Sequence, residues 1–348
     1  MKKRRNILVT CAGGHVYPEI IENIRNHKDY DFRIVGCDTS ELAVGYSFSD
    51  AYYTVPKGNE SGYPGEILRI CKKEDINYIL PLSDEESLAL SFNKELFLAE
   101  AAVPIVSDYE AVSIACDKGN LLEHLKLKGI QTPRFFLPDD YEQLLQGIKE
   151  LGYPKKKVVF KQRTSRGGRG FNVISDNFRI SDRIGGRCDH FLVDYTEIMN
   201  AFKEEKNIQE YLLMEYLPGK DYNIDVLFLK GVPELILSNQ RLKPKAGPVN
   251  IGKLESNQQV IDVVNDIAKV LTFDYCINIE AAFGDDGKLY VYEINPRVGA
   301  PIVFYTLGGI DMLNLMMSYV IDNKIRIDRK VCEDKFCYRY WKTKEANK

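Results

Sequence analysis

The first third of the chain alternates two periods. Short apolar runs at "NILVTC" (6–11), "FRIVGCD" (32–38), "AYYTV" (51–55), "INYILPL" (76–82) and "VPIVS" (103–107) are separated by amphipathic stretches at 16–27, 63–74 and 85–100. Short apolar runs bounded by turn residues predict buried strands, and apolar positions three and four apart predict helices. Their alternation predicts a parallel sheet with crossover helices over residues 1–116. The texture then changes. Helices are predicted over 117–128 and 139–151, followed by paired strands at "KKKVVFKQ" (155–162) and "GFNVIS" (170–175). Residues 177–194 are polar and show no period. Beyond them the pattern predicts a helix over 195–206, strands over 210–216, 221–229 and 233–242, and a helix over 256–271. A hairpin of "CINIEAAF" (276–283) and "KLYVYEIN" (288–295) follows, then a helix over 309–321 and a strand at "FCYRYW" (336–341). The expected fold class is therefore α/β followed by α+β.

Composition narrows the function classes. At 348 residues the chain has room for two or three cores. Its 47 Lys and Arg balance 50 Asp and Glu, so no basic excess points to nucleic acid. No apolar stretch reaches the roughly 18 residues that span a bilayer, and the opening "MKKRRNILVT" puts its charges before a run too short for a signal peptide. The eight cysteines (11, 37, 71, 116, 188, 276, 332, 337) lack metal or disulfide spacing and are expected to be reduced thiols in the cytoplasm. Four scattered histidines leave little for a histidine relay, so a metal here is expected on oxygen ligands.

The hairpin carries the first chemical signal. If "GDDG" (284–287) closes it with Phe283 opposite Lys288, Glu280 falls opposite Val291 and Asn278 opposite Glu293, and alternation puts Glu280, Glu293 and Asn295 on one face. Two carboxylates this close repel unless a cation lies between them, and two carboxylates with an amide oxygen suit Mg²⁺, with Mn²⁺ as a substitute. The same acids also fit a merely solvated strand face. Arg297, just beyond, presents a planar donor fork for a phosphoryl or carboxylate group.

The second signal is "VVFKQRTSRGGRGF" (158–171), where a strand delivers Lys161 into a glycine loop carrying Arg163, Arg166 and Arg169. Gly167 and Gly168 let backbone amides approach phosphate oxygens. A plain glycine hairpin with solvated basic residues fits that segment as well, but an acidic cluster and a basic glycine loop in one chain together suggest a triphosphate held between them. Between the two signals, "LLMEYLPGKDYNIDV" brings a strand to Glu215, Tyr216 and Leu217, whose backbone can meet an adenine edge, with Asp221 placed for ribose hydroxyls.

Lys118 in "CDKGNLL", Lys161 with "SRGGRG", "MEYLPGKDYNIDV", Glu280, and "YEINPR" thirteen positions after Glu280 resemble, in that order, the ATP-grasp superfamily, and within it the carbamoyl phosphate synthetase-like carboxylate-amine ligases. "ILVTCAGG", "AYYTVP" and "ILPLSDEESLAL" resemble the domain that precedes the ATP-grasp fold in that group. The resemblance covers about residues 1–320. It implies a Rossmann-like pre-ATP-grasp domain at 1–116, a small lobe with the glycine loop at 117–194, and a C-terminal lobe with the metal site and tail at 195–348. It implies ATP and Mg²⁺ as cofactors. Lys118, Lys161, Arg166, Gly167 and Gly168 would bind phosphates, the backbone at Glu215 and Leu217 adenine, Asp221 ribose, and Glu280, Glu293 and Asn295 the metal. Arg297 and Arg241 would act as catalytic cations. The implied reaction joins a small carboxylate to an amine through an acyl phosphate, in a protein that forms a homodimer and binds neither nucleic acid nor membrane. Asp221 stands where the family more often has Glu, and 177–194 fits no family pattern.

Two other readings remain at this stage. An NAD(P)-dependent oxidoreductase would explain "ILVTCAGG" and Asp38 after the second strand, although the third glycine of the dinucleotide fingerprint is missing. A catalytically silent nucleotide-binding protein would keep the same ligands. For the substrates, Arg241, Lys243 and Lys245 offer positive charge to an acid, and Asp84 and Glu85 offer negative charge to an amine. The loop at 165–170 is expected to order over the phosphates when nucleotide binds.

Overall fold

The computed structural model describes residues 2–165, 170–175, 181, 191–205, 207–243, 249–327 and 333–345. Strands β1 (Lys3–Val9), β2 (Tyr30–Asp38), β3 (Ala51–Thr54), β4 (Tyr78–Leu80) and β5 (Val103–Pro104) form a parallel sheet in the order β3-β2-β1-β4-β5. Its helices are α1 (Tyr17–Arg25), α2 (Tyr63–Glu74), α3 (Asp84–Phe92), α4 (Lys94–Leu98) and α5 (Tyr109–Cys116). The single helix expected over 85–100 breaks at Asn93, whose side-chain amide donates to the Ala89 carbonyl at 2.8 Å. That bond competes with helix propagation. Ser83 caps α3 by accepting from the Glu86 amide, which leaves Asp84 in the first turn.

After α6 (Lys118–Leu127), a second sheet is built from β6 (Phe135–Phe136), β7 (Val158–Gln162), β8 (Asn172–Ile174), β9 (Leu192–Val193) and β10 (Tyr211–Glu215), in the order β6-β10-β7-β8-β9. It is flanked by α7 (Tyr141–Glu150) and α8 (Tyr195–Glu204). The third sheet is antiparallel: β11 (Asp221–Leu229), β12 (Val232–Lys243), β13 (Ile251–Leu254), β14 (Tyr275–Phe283), β15 (Leu289–Asn295) and β16 (Phe336–Tyr338), in the order β15-β14-β11-β12-β13-β16. Its helices are α9 (Gln258–Ala268), α10 (Ile302–Leu307) and α11 (Met312–Asp322). The pattern did not signal α5, α10, β9 or β13. The helix expected from 309 starts at Met312 because Asp311 caps it through the Asn314 amide. Among the described residues no helix is long and apolar enough to cross a membrane, and no disulfide forms.

The cores cross the boundaries that sequence texture suggests. Ala111 and Ala115 of α5 and Leu121 and Leu125 of α6 pack together against Tyr222, Ile224 and Val226 of β11 and Val260, Val264 and Ile267 of α9. The underside of the third sheet is thereby sealed, and the start of α6 is fixed relative to it. On the other side Ile20, Ile21 and Ile24 of α1 share a core with Phe304, Met312, Leu313 and Met316. The parallel sheet is thus bonded to the C-terminal helices by apolar burial, worth roughly 1.5–3 kcal/mol for each large side chain.

The hairpin register differs from the expected one. Gly284 donates to the Lys288 carbonyl, leaving a three-residue turn with Gly287 at φ 74°, and Phe283 pairs with Leu289 rather than Lys288. A three-residue turn ending in a left-handed glycine is a favoured hairpin closure. Ala281 then pairs with Val291, the register shifts, and Glu280 pairs with Glu293 and Asn278 with Asn295. Tyr292 is the extra residue of a β-bulge. Without it Glu280 would face Tyr292, and Glu293 would turn to the face where Val291 and Ile294 enter the core.

The turn leaving β15 is tight. A Cβ on Gly299 would lie 2.4 Å from Asp225 Oδ1 and 2.7 Å from Asn278 Nδ2. Gly299→Ala should therefore lower stability by about 1–3 kcal/mol, the usual range for overpacking. Urea denaturation checks this, and an unchanged midpoint would contradict the packing.

Candidate active site

The upper face of the third sheet is a polar floor. Alternation along β11 raises Asp221, Asn223 and Asp225, opposite Arg241 and Asn239 on β12 and Glu280 and Asn278 on β14. Arg241 lies between two acids: its Nε is 3.3 Å from Asp221 Oδ2 and its terminal nitrogen 3.1 Å from Glu280 Oε2. Burial pushes the Asp221 carboxyl up to about 6 against the opposing effect of Arg241. Asn295 donates to Asn278 Oδ1 at 3.3 Å and accepts from Arg297 at 3.0 Å.

Glu293 faces the two lysines. Lys161 Nζ lies 3.4 Å from Glu293 Oε2 and Lys118 Nζ 3.5 Å from Oε1. Lys161 comes from β7 and Lys118 from the first turn of α6, so the carboxylate joins two sheets and a helix. Burial opposes its ionisation, but Lys118 and Lys161 outweigh burial and hold it below the usual carboxylate range. Burial also lowers the pKa of Lys161, with Glu293 working against that and Lys118 adding to it. Lys118 Nζ donates in addition to the Ser165 carbonyl, at the foot of the glycine loop. Arg166, Gly167 and Gly168 lie outside the described residues, as do Arg169, Lys245 and most of 177–194. The expectation that the 165–170 loop orders on nucleotide therefore falls largely outside them too.

Arg297 points at the parallel sheet. Its Nε is 2.9 Å from Asp84 Oδ1, a charge contact without hydrogen-bond alignment, and a terminal nitrogen donates to Asp84 Oδ2 at 3.4 Å. Burial lowers the pKa of the guanidinium, yet Asp84 more than offsets it, and the group stays charged. The bond pins the turn after β15 to the first turn of α3.

A cleft of about 1210 Å³ runs across all three sheets. At one end Val159, Phe171, Phe191, Met214, Tyr216 and Leu217 make an apolar pocket. The floor, both lysines and Arg297 form its middle, and Gly13, Gly14, His15 and Asp38 its far end. Glu215 does not line the cleft: its amide donates to the Arg134 carbonyl at 2.9 Å, and its carboxylate accepts from the Arg134 amide at 2.7 Å. Asp38 turns back to accept from the Gly13 amide at 2.7 Å and the Ser40 amide at 3.1 Å, so the feature that suggested a dinucleotide is a turn-stabilising acid. Sequence reasoning missed Tyr292 and Asn223. An aromatic residue directly before Glu293 was the available signal for the first, and the alternation D-Y-N-I-D for the second.

Glu280, Glu293 and Asn295 form an all-oxygen donor set within two adjacent cross-strand pairs, the chemistry of a hard divalent cation. Among the described residues no group of three His, Cys, Asp or Glu side chains makes a metal site.

Comparison with known proteins matches two segments of the chain to described families. Residues 7–106 match the family described as "PylC-like, N-terminal domain", and residues 207–343 match "ATP-grasp in the biosynthetic pathway with Ter operon". The matches thus give a PylC-like N-terminal region followed by an ATP-grasp region. The carbamoyl phosphate synthase large chain of Mycobacterium sp. (strain JLS) is 23% identical over 283 residues, covering 78% of this chain and 24% of that one. The chain thus spans about a quarter of that curated relative. The N5-carboxyaminoimidazole synthetase of Staphylococcus aureus, solved with ADP, has TM-score 0.69 at 15% identity, covering 95% of this chain and 81% of that one. The L-amino acid ligase of Bacillus licheniformis has TM-score 0.65 at 13% identity, covering 94% and 78%. No relative supports the oxidoreductase alternative.

Glu293 neutralises two lysines whose side chains are only 6% and 4% exposed. Glu293→Gln should lower stability, by about 3–5 kcal/mol if both cations stay charged and less if Lys161 gives up its proton. ATP without metal should raise the melting temperature of the variant more than that of the wild type, because phosphates replace the lost charge. Equal melting temperatures would contradict the pairing.

Proposed function

We propose that the protein is an ATP-dependent carboxylate-amine ligase working through an acyl phosphate. The observation that carries the reading is the row of Glu280, Glu293 and Asn295 facing Lys118 and Lys161 midway along a cleft whose one end is an apolar pocket. In this reading residues 1–116, 117–194 and 195–348 are the pre-ATP-grasp domain, small lobe and C-terminal lobe. The purine lies between Val159, Met214 and Tyr216, with the backbone near Leu217 on its edge and Asp221 toward the ribose. Glu215, which does not line the cleft and whose amide and carboxylate hold Arg134, is left out of the adenine edge. Lys118 and Lys161 exchange Glu293 for phosphate oxygens. Glu280, Glu293 and Asn295 would hold Mg²⁺, whose chemistry there is charge neutralisation on the phosphates.

The γ-phosphoryl group then passes from ATP to an oxygen of the substrate carboxylate, the bond to the β-phosphate oxygen breaks and ADP leaves. Arg297 and Arg241 stand on either side of the floor, where negative charge builds on the transferring group, and fixed cations aimed at such charge lower the barrier. An amine attacks the acyl carbon, the C–O bond to phosphate breaks, and the amine loses a proton to give the amide. No protein nucleophile is needed. Asp84 holds Arg297 in place from the parallel sheet, which puts the far end of the cleft within reach of the same reacting atoms.

Phosphate release from ATP, screened over amino acids and small carboxylates with product mass measured, tests the reading. Release that no carboxylate and amine pair stimulates would defeat it. Arg297→Lys should keep ATP affinity and lose roughly tenfold to a thousandfold in turnover, the range for removing one preorganised donor, because lysine lacks the planar fork that meets both an oxyanion and Asp84. Turnover unchanged, or reduced only in step with melting temperature, would remove Arg297 from catalysis.

A further inference from the structure

The residue that makes the bulge has an arrangement the ligase reading does not use. The Tyr292 hydroxyl is 2.9 Å from Asp221 Oδ1 and 3.1 Å from Glu280 Oε2. Its ring lies under Lys161, with Nζ 4.9 Å from the ring centroid, and its carbonyl accepts from the same Nζ at 3.4 Å. The ring also packs against the apolar cluster of Val159, Val173, Phe191 and Met214 in the small-lobe sheet. One side chain therefore touches a candidate metal ligand, the candidate ribose acid, the candidate phosphate lysine and the wall of the purine pocket. It is also the extra residue that turns Glu293 to face Glu280.

We propose that Tyr292 is a positioning residue for the metal-nucleotide complex: its hydroxyl and Arg241 hold one oxygen of Glu280, so that the other is presented to the cation shared with Glu293. The geometry favours this over a packing role. Arg241 and Tyr292 both converge on Oε2 of Glu280, and none of the contacts described for that carboxylate involves Oε1. The single phenol proton is shared between Asp221 Oδ1 and Glu280 Oε2, and a carboxylate oxygen held by that hydroxyl and by Arg241 loses rotational freedom, which is what an outer-shell partner does for a metal ligand. A residue acting only through packing needs the ring and not the hydroxyl. A phenylalanine at 292 would still fill the space against Val159 and Met214 and still lie under Lys161. The inference rests on the ligase reading only for the presence of nucleotide and cation in the cleft.

The test compares wild type with Tyr292→Phe by calorimetric titration of the β,γ-imido analogue of ATP, once in EDTA and once over a range of Mg²⁺ concentrations. The wild type should bind the analogue more tightly as Mg²⁺ rises. In Tyr292→Phe the Mg²⁺ concentration giving half of that gain should rise about tenfold, the lower end of the effect of removing an outer-shell partner, while affinity in EDTA stays within a factor of two. Tyr292→Leu, which also removes the ring beneath Lys161, should weaken binding in EDTA as well. An unchanged Mg²⁺ requirement in Tyr292→Phe overturns the proposal. So does an equal loss with and without Mg²⁺, or a Tyr292→Phe protein that fails to fold, since each makes the residue structural. A wild type that binds no analogue under either condition overturns this inference together with the ligase reading, an outcome distinct from the others.

Discussion

The ion contact between Glu293 and two buried lysines organises the centre of the molecule. A lysine as enclosed as Lys161 would be strongly driven to lose its proton if it stood alone. Glu293 opposes that loss, and it contacts Lys118 at the same time. Because Lys161 is carried by the second sheet, Lys118 by a helix packed under the third sheet, and Glu293 by that third sheet itself, the contact ties the second and third sheets together. The cations that neutralise Glu293 here are those suited to phosphate, and the acid is suited to a divalent cation. In the proposed reading, nucleotide and metal would exchange partners with groups that already neutralise each other, which would make their binding mutually dependent.

That arrangement requires an irregular strand. A regular hairpin would direct Glu293 into the apolar layer with Val291 and Ile294, where a carboxylate without partners costs several kcal/mol. The bulge at Tyr292 lets two consecutive side chains rise to the polar face, and both are used. The same strand then delivers Arg297 to Asp84, so one segment reaches all three sheets within six residues. The apolar contacts of α1 with α10 and α11 keep the parallel sheet from moving away from it.

Much of this was legible in the chain. The alternation of short apolar runs and amphipathic stretches marked the parallel sheet because each crossover helix must bury one face and each strand both. The shared face of Glu280, Glu293 and Asn295 was inferred correctly, although from a wrong pairing. The period of two tells which side a residue faces on a regular strand but is blind to a bulge, and here an error in the turn and an extra residue in the strand compensated for one another. The Asp38 signal was misleading because an acid at the end of a second strand looks the same whether it receives a ribose or the Gly13 amide.

The sequence by itself determined the element order, the chemistry-bearing residue types and their order along the chain, because these follow from hydrophobic period and from motifs whose members are near neighbours. Only the tertiary structure decided which charges meet. Arg297 with Asp84, Lys118 with Glu293 and Tyr292 with Asp221 join residues far apart in sequence. Such pairings depend on how three sheets pack, on the half-turn that a single bulge imposes, and on helices α5 and α6 sealing a sheet that their own sequence does not reveal as their partner.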